Sequence, residues 1–330
     1  MQKFINRSEN ITREMLEGLV LANQDKLMLV GGKLVVNKKL AQAKRVTVIA
    51  LGMTGCEPAL CGCVGEGLLD IFVAGDVFAA PGPQAALDAV RLADKGQGVL
   101  LIAGNHTGDM LTANLVMKLA QKESLNVQLV VVHDNLGDAP RSSLQERRSL
   151  VGIVPVCKIA AAAALAGKSL ADVAALAQSF ADNMSTIAVT VKPGTNPQTG
   201  APLAAELKAE MCAVGAGEQA EGGELVPLMQ ADELAEAVIP KLLTDLQVQQ
   251  GEKLLFMVNG SGATTLMEQL IIYRAGYKVL AERGVEVAAS YVGGLMTMQD
   301  TYGVQLLLAR MDDELLGYWQ AECNAPYFKK

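Results

Sequence analysis

The stretch Gly98-Val-Leu-Leu-Ile-Ala-Gly-Asn-His-Thr-Gly-Asp109, running on into Met-Leu-Thr-Ala-Asn-Leu-Val-Met-Lys-Leu-Ala at 110–120, decides the fold class. Residues 98–103 are a short apolar run of the kind that makes a strand buried on both faces, and a glycine-containing turn ends it. Met110, Leu111, Leu115, Val116 and Leu119 then recur at helical spacing, and a second apolar run at 127–132 closes the crossover. Upstream, residues 46–51 form another β-branched run that ends in the turn Gly52-Met53-Thr54-Gly55-Cys56-Glu57-Pro58. Strands alternating with helices at this interval are βαβ units with right-handed crossovers, so the predicted class is α/β with mostly parallel or mixed sheets flanked by helices.

Outward from this core, Ile11, Met15, Leu16, Leu19 and Val20 predict an opening amphipathic helix behind a polar start. Helices are expected at 156–166 and 170–182, and a Pro/Gly/Asn-rich stretch at 192–202 reads as a long loop. Beyond it the pattern predicts a helix at 233–246, a strand at 254–258, the turn Asn259-Gly260-Ser261-Gly262 and a helix at 264–283. Strands at 285–290 and 304–309 follow, and Asp312-Asp313-Glu314 starts a terminal helix with an acidic first turn. The boundary is placed near Asn183: an N-terminal α/β domain over 1–183 and a C-terminal α/β domain over 184–330.

The length of 330 residues agrees with two domains at about 100 to 200 residues each. Apolar residues reach 51% while aromatics are 4%, so Ala, Val, Leu and Met must fill the cores, and disorder is excluded. With 28 Lys and Arg against 35 Asp and Glu, the formal charge of −7 opposes binding to phosphate backbones, which excludes nucleic acid as a direct partner. The most apolar stretch, 156–166, is too short to span a bilayer, and residues 1–13 hold no continuous apolar core, so neither a membrane segment nor a signal peptide is expected. The six cysteines, Cys56, Cys61, Cys63, Cys157, Cys212 and Cys323, are expected as reduced thiols of a cytoplasmic chain.

In open α/β sheets ligands lie beyond the carboxyl ends of the strands, so loops 52–57, 104–109 and 259–262 are the candidate site, each offering backbone N–H groups to an anion or hydroxyl. No Walker A lysine pattern and no G-x-G-x-x-G with a downstream acid accompanies them, so nucleotide binding by this chain is not expected. Asp109 opens a helix and reads either as an N-cap or as a general base. Cys56 lies in a turn ahead of an expected helix whose dipole would activate a thiol, although a free cysteine is more often a packing residue. Cys56, Cys61 and Cys63 fit no standard zinc spacing, which favours packing. His106 is a candidate ligand contact, His133 reads as a loop residue, and neither is expected to be catalytic.

The turn G-M-T-G-C-E-P-A-L-C-G with V-G-E-G-L-L after it, then A-G-D-V-F-A-A-P, G-V-L-L-I-A-G-N-H-T-G-D-M-L and R-R-S-L-V-G, resemble the dihydroxyacetone kinase family. The likeness is closest to the substrate-binding K subunit of its phosphotransferase-system-dependent members and runs from Lys3 through V-N-G-S-G-A-T at Val258 to M-D-D-E at Met311. The resemblance implies a homodimer of two α/β domains that binds a small ketose and no nucleotide. A separate L-type subunit then carries ADP with magnesium and passes on the phosphoryl group. It also implies Asp109 as the base at the accepting hydroxyl.

Four positions depart from the family pattern. Cys56 stands where the family has a substrate-bonding histidine, Met53 where it has glycine, and Gly104 where it has lysine. Gly217, in A-V-G-A-G-E-Q-A-E-G-G, falls where the family's histidine forms a covalent bond to the ketone carbon, and glycine cannot form it. Thr54, Glu57, Asp109, Arg147 and Arg148 are retained, Glu57 and the arginines either as site residues or as structural pairs. Two functions follow as expectations: phosphoryl transfer to a ketose or polyol held by hydrogen bonds alone, or a catalytically inactive paralogue that senses a ligand or serves a regulator protein. A third possibility is that the Cys56 thiolate adds reversibly to a carbonyl ligand.

Overall fold

The computed structural model describes residues 3–330. Two compact units share the chain discontinuously. One holds residues 3–132 together with Ile153–Ser179 and Gly317–Lys330, and the other holds His133–Gly152 and Phe180–Leu316. The chain crosses from one unit to the other between Ser179 and Phe180, between Val132 and His133, between Gly152 and Ile153 and between Leu316 and Gly317, where the sequence reading expects one boundary near Asn183. The excursion at 133–152 and the return of the last residues to the first unit carry no composition shift that a linear reading could detect.

In the first unit, α1 (Ile11–Ala22) precedes strands β1 (Leu27–Val30), β2 (Leu34–Asn37), β3 (Thr47–Thr54) and β4 (Ile71–Val77). Helix α2 (Pro83–Ala93), strand β5 (Val99–Gly104), helix α3 (Thr107–Lys122) and strand β6 (Val127–Val132) complete the α/β alternation. The sheet order is β1-β2-β4-β3-β5-β6, with β4, β3, β5 and β6 mutually parallel and β1 and β2 antiparallel. Its core is built from aliphatic residues of the strands and their covering helices, among them Ile49, Leu51, Val73, Leu101, Val90 and Val116. The 46–51 run continues three residues further than its composition shows, because Gly52 and Thr54 pair with Ala74 and Val77 on β4. The expected turn at 52–54 is therefore strand, and the chain first bends at Gly55.

Helices α4 (Ile153–Leu165) and α5 (Leu170–Asp182) follow. Residues 153–164 of α4 are all buried, which explains a stretch apolar on every side yet too short for a bilayer. Its Lys158 is buried and donates to the Tyr318 carbonyl at 3.0 Å. No helix among the described residues is long and apolar enough to cross a membrane.

The second unit contains strands β7 (Met184–Lys192), β8 (Met211–Val214) and β9 (Glu224–Pro227), helix α6 (Ala231–Leu246), strand β10 (Lys253–Gly260), helix α7 (Leu266–Glu282) and strands β11 (Glu286–Gly293) and β12 (Tyr302–Met311). Helix α8 (Asp313–Gln320) begins behind Asp312, whose carboxylate accepts from the Leu315 N–H. The sheet order is β11-β10-β12-β7-β8-β9, and only β10 and β11 are parallel. This sheet is mixed because β10-α7-β11 joins neighbouring strands through a helix, while α6 carries the chain from β9 at one edge back to β10 and β8 and β9 are neighbours that pair as a hairpin. Helices α6 and α7 cover it, each started by a capping box, Gln230 with Glu233 and Thr265 with Glu268.

Candidate functional site

The parallel part of the first sheet has the switch point that creates a crevice. From β3 the chain moves to β4 on one side, and after β5 it moves to β6 on the other, so the loops leaving β3 and β5 diverge at their carboxyl ends. Three loops meet there. Phe78, just past β4, presses on Gly55, where an added Cβ would lie 2.5 Å from the Phe78 ring and where φ is +102°. Ala80 touches Gly108, at 3.0 Å from where a Cβ would sit, and the Pro81 carbonyl accepts from the Thr112 hydroxyl of α3 at 2.8 Å. The turn after β3 is thereby tied through residues 78–81 to the first turn of α3. Phe78, a non-glycine residue at φ 57°, is a site element that the sequence does not single out, because its left-handed backbone has no compositional sign.

Asp109 is the third residue of α3, only 6% exposed, and has no donor paired with it among the described residues. The N-cap alternative is therefore corrected: His106 occupies the cap, in extended conformation, and no side chain caps the helix. Burial pushes the Asp109 carboxyl from its ordinary 3.8 up to about 7, although it stands near a helix N-terminus that favours negative charge. A carboxyl with that affinity for protons exchanges one readily at neutral pH, as a general base must. The amides at the start of α3 have no intrahelical acceptor and point the same way as the helix dipole.

The other sequence candidates divide. Met53 is half-buried at the end of β3, while Thr54 is 1% exposed, donates to the Gly75 carbonyl at 3.3 Å and bonds the Thr12 hydroxyl at 3.0 Å. Thr54 positions the turn and offers little to a ligand. Glu57 accepts the Gly55 N–H at 2.8 Å, and burial holds its carboxyl above the ordinary value, so the structural reading of Glu57 is the one observed. Cys56 is 3% exposed and no α-helix starts after it; the next element is the short 3-10 turn Cys61–Cys63. The expectation of a helix dipole activating the Cys56 thiol is corrected accordingly. All six cysteines are free and buried, with burial pushing the Cys61 thiol far up, and no group of three or more His, Cys, Asp or Glu among the described residues could hold a metal ion. Gly104 ends β5, and His106 is half-buried beside it.

Gly217 belongs to the other unit. It starts a tight turn in which its N–H donates to the Glu221 carbonyl at 2.8 Å, and any Cβ there would overlap the Glu221 carboxylate. Glu221 is itself paired with Arg148, which also grips Asp138 at 2.5 Å. Arg147 is fully buried and holds Asp245 at 2.6 Å. Burial raises the Asp245 carboxyl, but the Arg147 and Arg141 guanidiniums outweigh it and hold it below the ordinary range. Both arginines are thus structural pairs. His133 is 9% exposed and sits 3.0 Å from Asp182, a buried loop residue with a partner. In the third candidate loop, 259–262, the Ser261 and Ala263 amides donate to the Gly303 and Thr301 carbonyls and Asn259 fastens Leu295 and Met296, so these groups are occupied within the protein.

The family model described as the Dak1 domain matches residues 17–327. The dihydroxyacetone-binding subunit DhaK of PTS-dependent dihydroxyacetone kinase 1 from Listeria innocua is 33% identical over 315 residues, covering 95% of each chain. An L-erythrulose kinase of Pectobacterium atrosepticum is 33% identical over all of this chain, which spans 56% of that protein. Among solved structures, one titled as the dihydroxyacetone kinase operon co-activator Dha-DhaQ superimposes with a TM-score of 0.89 at 28% identity, covering 95% of this chain and 97% of that one. The sequence resemblance thus extends to the whole fold.

Proposed function

This chain belongs to the Dak1 domain family, and from that premise we propose that it is a dihydroxyacetone-kinase-like substrate-binding subunit for phosphoryl transfer to a small ketose or polyol. The buried, neutral-range carboxyl of Asp109 at the switch-point crevice carries the reading. In the proposed reaction Asp109 takes the proton of the accepting hydroxyl as its oxygen bonds to phosphorus and the bond from phosphorus to the donor breaks. The donor is the nucleotide of a separate L-type subunit, recharged with magnesium from ADP to the triphosphate by the phosphoryl supply so that ADP is the leaving group, and not a nucleotide held by this chain. Met53, Cys56, Gly104 and His106 are the proposed ligand contacts around Asp109, and Thr54 positions them. Gly217 has no nucleophile, so the ligand is held by hydrogen bonds alone, and a polyol suits the site as well as a ketone. The proposed setting is the cytoplasm.

The test mixes the pure protein with an ADP-loaded L-type subunit and its phosphoryl supply and screens trioses, tetroses and polyols. Phosphorylated product that disappears in Asp109→Asn supports the reading; absence of product with every compound, alongside measurable binding, refutes it. That second outcome matches the alternative, an inactive ligand-sensing or co-regulatory paralogue. The specific observations behind the alternative are the altered Cys56, Gly104 and Gly217 and the similarity to a structure titled as an operon co-activator.

A further inference from the structure

We propose that a cationic cavity at the amino ends of β3 and β4 binds a small phosphorylated molecule carrying two or more negative charges. The cavity, about 890 Å³, lies wholly within the first unit, between the 3-10 turn at Lys38–Gln42, the loop holding Glu66 and Gly67, and the last residues, 322–330. On its wall Arg45, two residues before β3, is held by two hydrogen bonds to the buried Asp70 carboxylate just before β4. Asp109 lies past the carboxyl end of β5, which runs parallel to β3. The eight residues of β3 therefore put the cavity at the opposite end of the sheet from the crevice, roughly 25 Å away.

Lys39, Lys44, Arg45, Lys329 and Lys330 line the cavity against two carboxylate side chains, Glu66 and Glu322, on a chain whose formal charge is −7. Lys39 is paired with Glu66 at 2.6 Å and Arg45 with Asp70 at 2.8 Å. Lys44, Lys329 and Lys330 have no acidic partner among the described residues. Behind them Lys158 is 0% exposed, and its one bond among the described residues goes to the neutral Tyr318 carbonyl at 3.0 Å. Its ammonium lies within electrostatic reach of Cys323 and Lys330, both on the cavity wall. Lys330 stands over the ring of the buried Trp319, with Nζ 4.6 Å from the centroid. Burial lowers the proton affinity of Lys158 and Lys330, as befits cations short of both water and a counter-charge. An anion in the cavity supplies that charge, in a recess that concentrates the field of its cations.

The donor set selects phosphate. A planar carboxylate is gripped best by a free guanidinium fork, and the fork of Arg45 is filled by Asp70, whereas lysine ammoniums are point charges suited to tetrahedral phosphoryl oxygens. The volume leaves room for more than one phosphoryl group and falls within the range of small-molecule sites. The wall is also preformed. The Asn324 N–H donates to the Glu66 carbonyl at 2.8 Å, the Tyr327 N–H to the Gly62 carbonyl at 3.1 Å, and Cys323 and Lys330 exchange backbone bonds at 3.3 and 3.2 Å. Gly67, at φ +72°, leaves no space for a Cβ beside the Glu322 carbonyl, so the segment bearing Lys329 and Lys330 is fixed against the loop. The inference stands on this cavity and does not depend on the kinase reading.

The experiment is isothermal titration calorimetry of the full chain with pyrophosphate, with inorganic phosphate and citrate as comparison ligands. One pyrophosphate per chain is expected, bound at least about 10-fold more tightly than either comparison ligand and weakening as salt rises from about 20 to about 200 mM. Lys44→Glu combined with Lys329→Glu should lower the affinity at least about 10-fold at unchanged circular dichroism, while Lys278→Glu, an exposed lysine of the second unit, leaves it as in wild type. If the double variant fails to fold, acetylation of the wild type by an N-hydroxysuccinimide ester decides the matter: pyrophosphate should slow labelling of Lys44 and Lys329 and not of Lys278, read by peptide mass. Absence of saturable binding, pyrophosphate held no more tightly than phosphate or citrate, affinity indifferent to the double variant, or unprotected Lys44 and Lys329 would each overturn the proposal. Binding lost in Asp109→Asn and kept in the double variant would place the anion in the crevice and overturn it as well.

Discussion

Replacing Asp109 by Asn tests the physical basis of the site without knowledge of the substrate. Lifting the carboxyl from 3.8 to about 7 means that, between those pH values, the folded chain keeps a proton that the unfolded chain has lost. The folded state binds more protons, so stability falls as pH rises through this window and levels off above about 7. At about 1.4 kcal/mol per pKa unit, the buried charge costs about 4 kcal/mol at pH 8. Asparagine matches the protonated carboxyl in size and polarity but never ionises. Below about pH 4 the two proteins should melt alike; at pH 8 the Asp109→Asn chain should be more stable by up to ~4 kcal/mol, several degrees in Tm. Urea and thermal unfolding at both pH values read this directly. A variant that is less stable than wild type at pH 8, or a difference that does not change with pH, would mean that the carboxylate is a stabilising anchor, and the assignment of Asp109 as base would lose its foundation. Activity should move the opposite way, with kcat/KM falling below pH about 7 as Asp109 protonates and dropping roughly 10²- to 10⁴-fold in Asp109→Asn.

Further outcomes follow from other contacts. Gly55→Ala places a methyl against the Phe78 ring at a φ of +102°, and should lower stability by about 1–3 kcal/mol in denaturant melts and weaken ligand binding measured by calorimetry. Arg147→Ala leaves the Asp245 carboxylate, held by a fully buried guanidinium, without its main partner; a loss of roughly 3–5 kcal/mol is expected, read by the same melts. With six buried thiols, the native chain should react with almost no Ellman's reagent until it is unfolded, when six equivalents appear; fast reaction of Cys56 in the native state would restore the idea of carbonyl addition by that thiol. If Cys56→Ser leaves ligand affinity unchanged, that idea is excluded.

The strands and helices that decide the fold were legible because each rests on local periodicity. Strand β6 matches the run at 127–132, and α3 covers the helical pattern that follows Asp109. Strand β7 carries its own β-branched signal in Met-Ser-Thr-Ile-Ala-Val-Thr-Val-Lys, but it follows α5 with no turn residues other than Asn183 to separate the two. The weaker elements β1, β2, β8 and β9 are four residues each, too short for a period to register, and exist because a neighbouring strand pairs with them.

Composition and spacing alone determined that this chain is α/β, that its charge is wrong for nucleic acid, and that an aspartate follows a glycine turn at the carboxyl end of a strand. Tertiary structure alone decided what that aspartate is. Its proton affinity comes from the solvent excluded around it in the folded chain, where Ala80 and Pro81, nearly thirty residues earlier in sequence, lie against the start of its helix, and desolvation is a property of what surrounds a group in space. In the same way only the fold could show that Glu221 fills the space beside Gly217, and that Arg147, Arg148 and Glu57 are tied to partners within the protein.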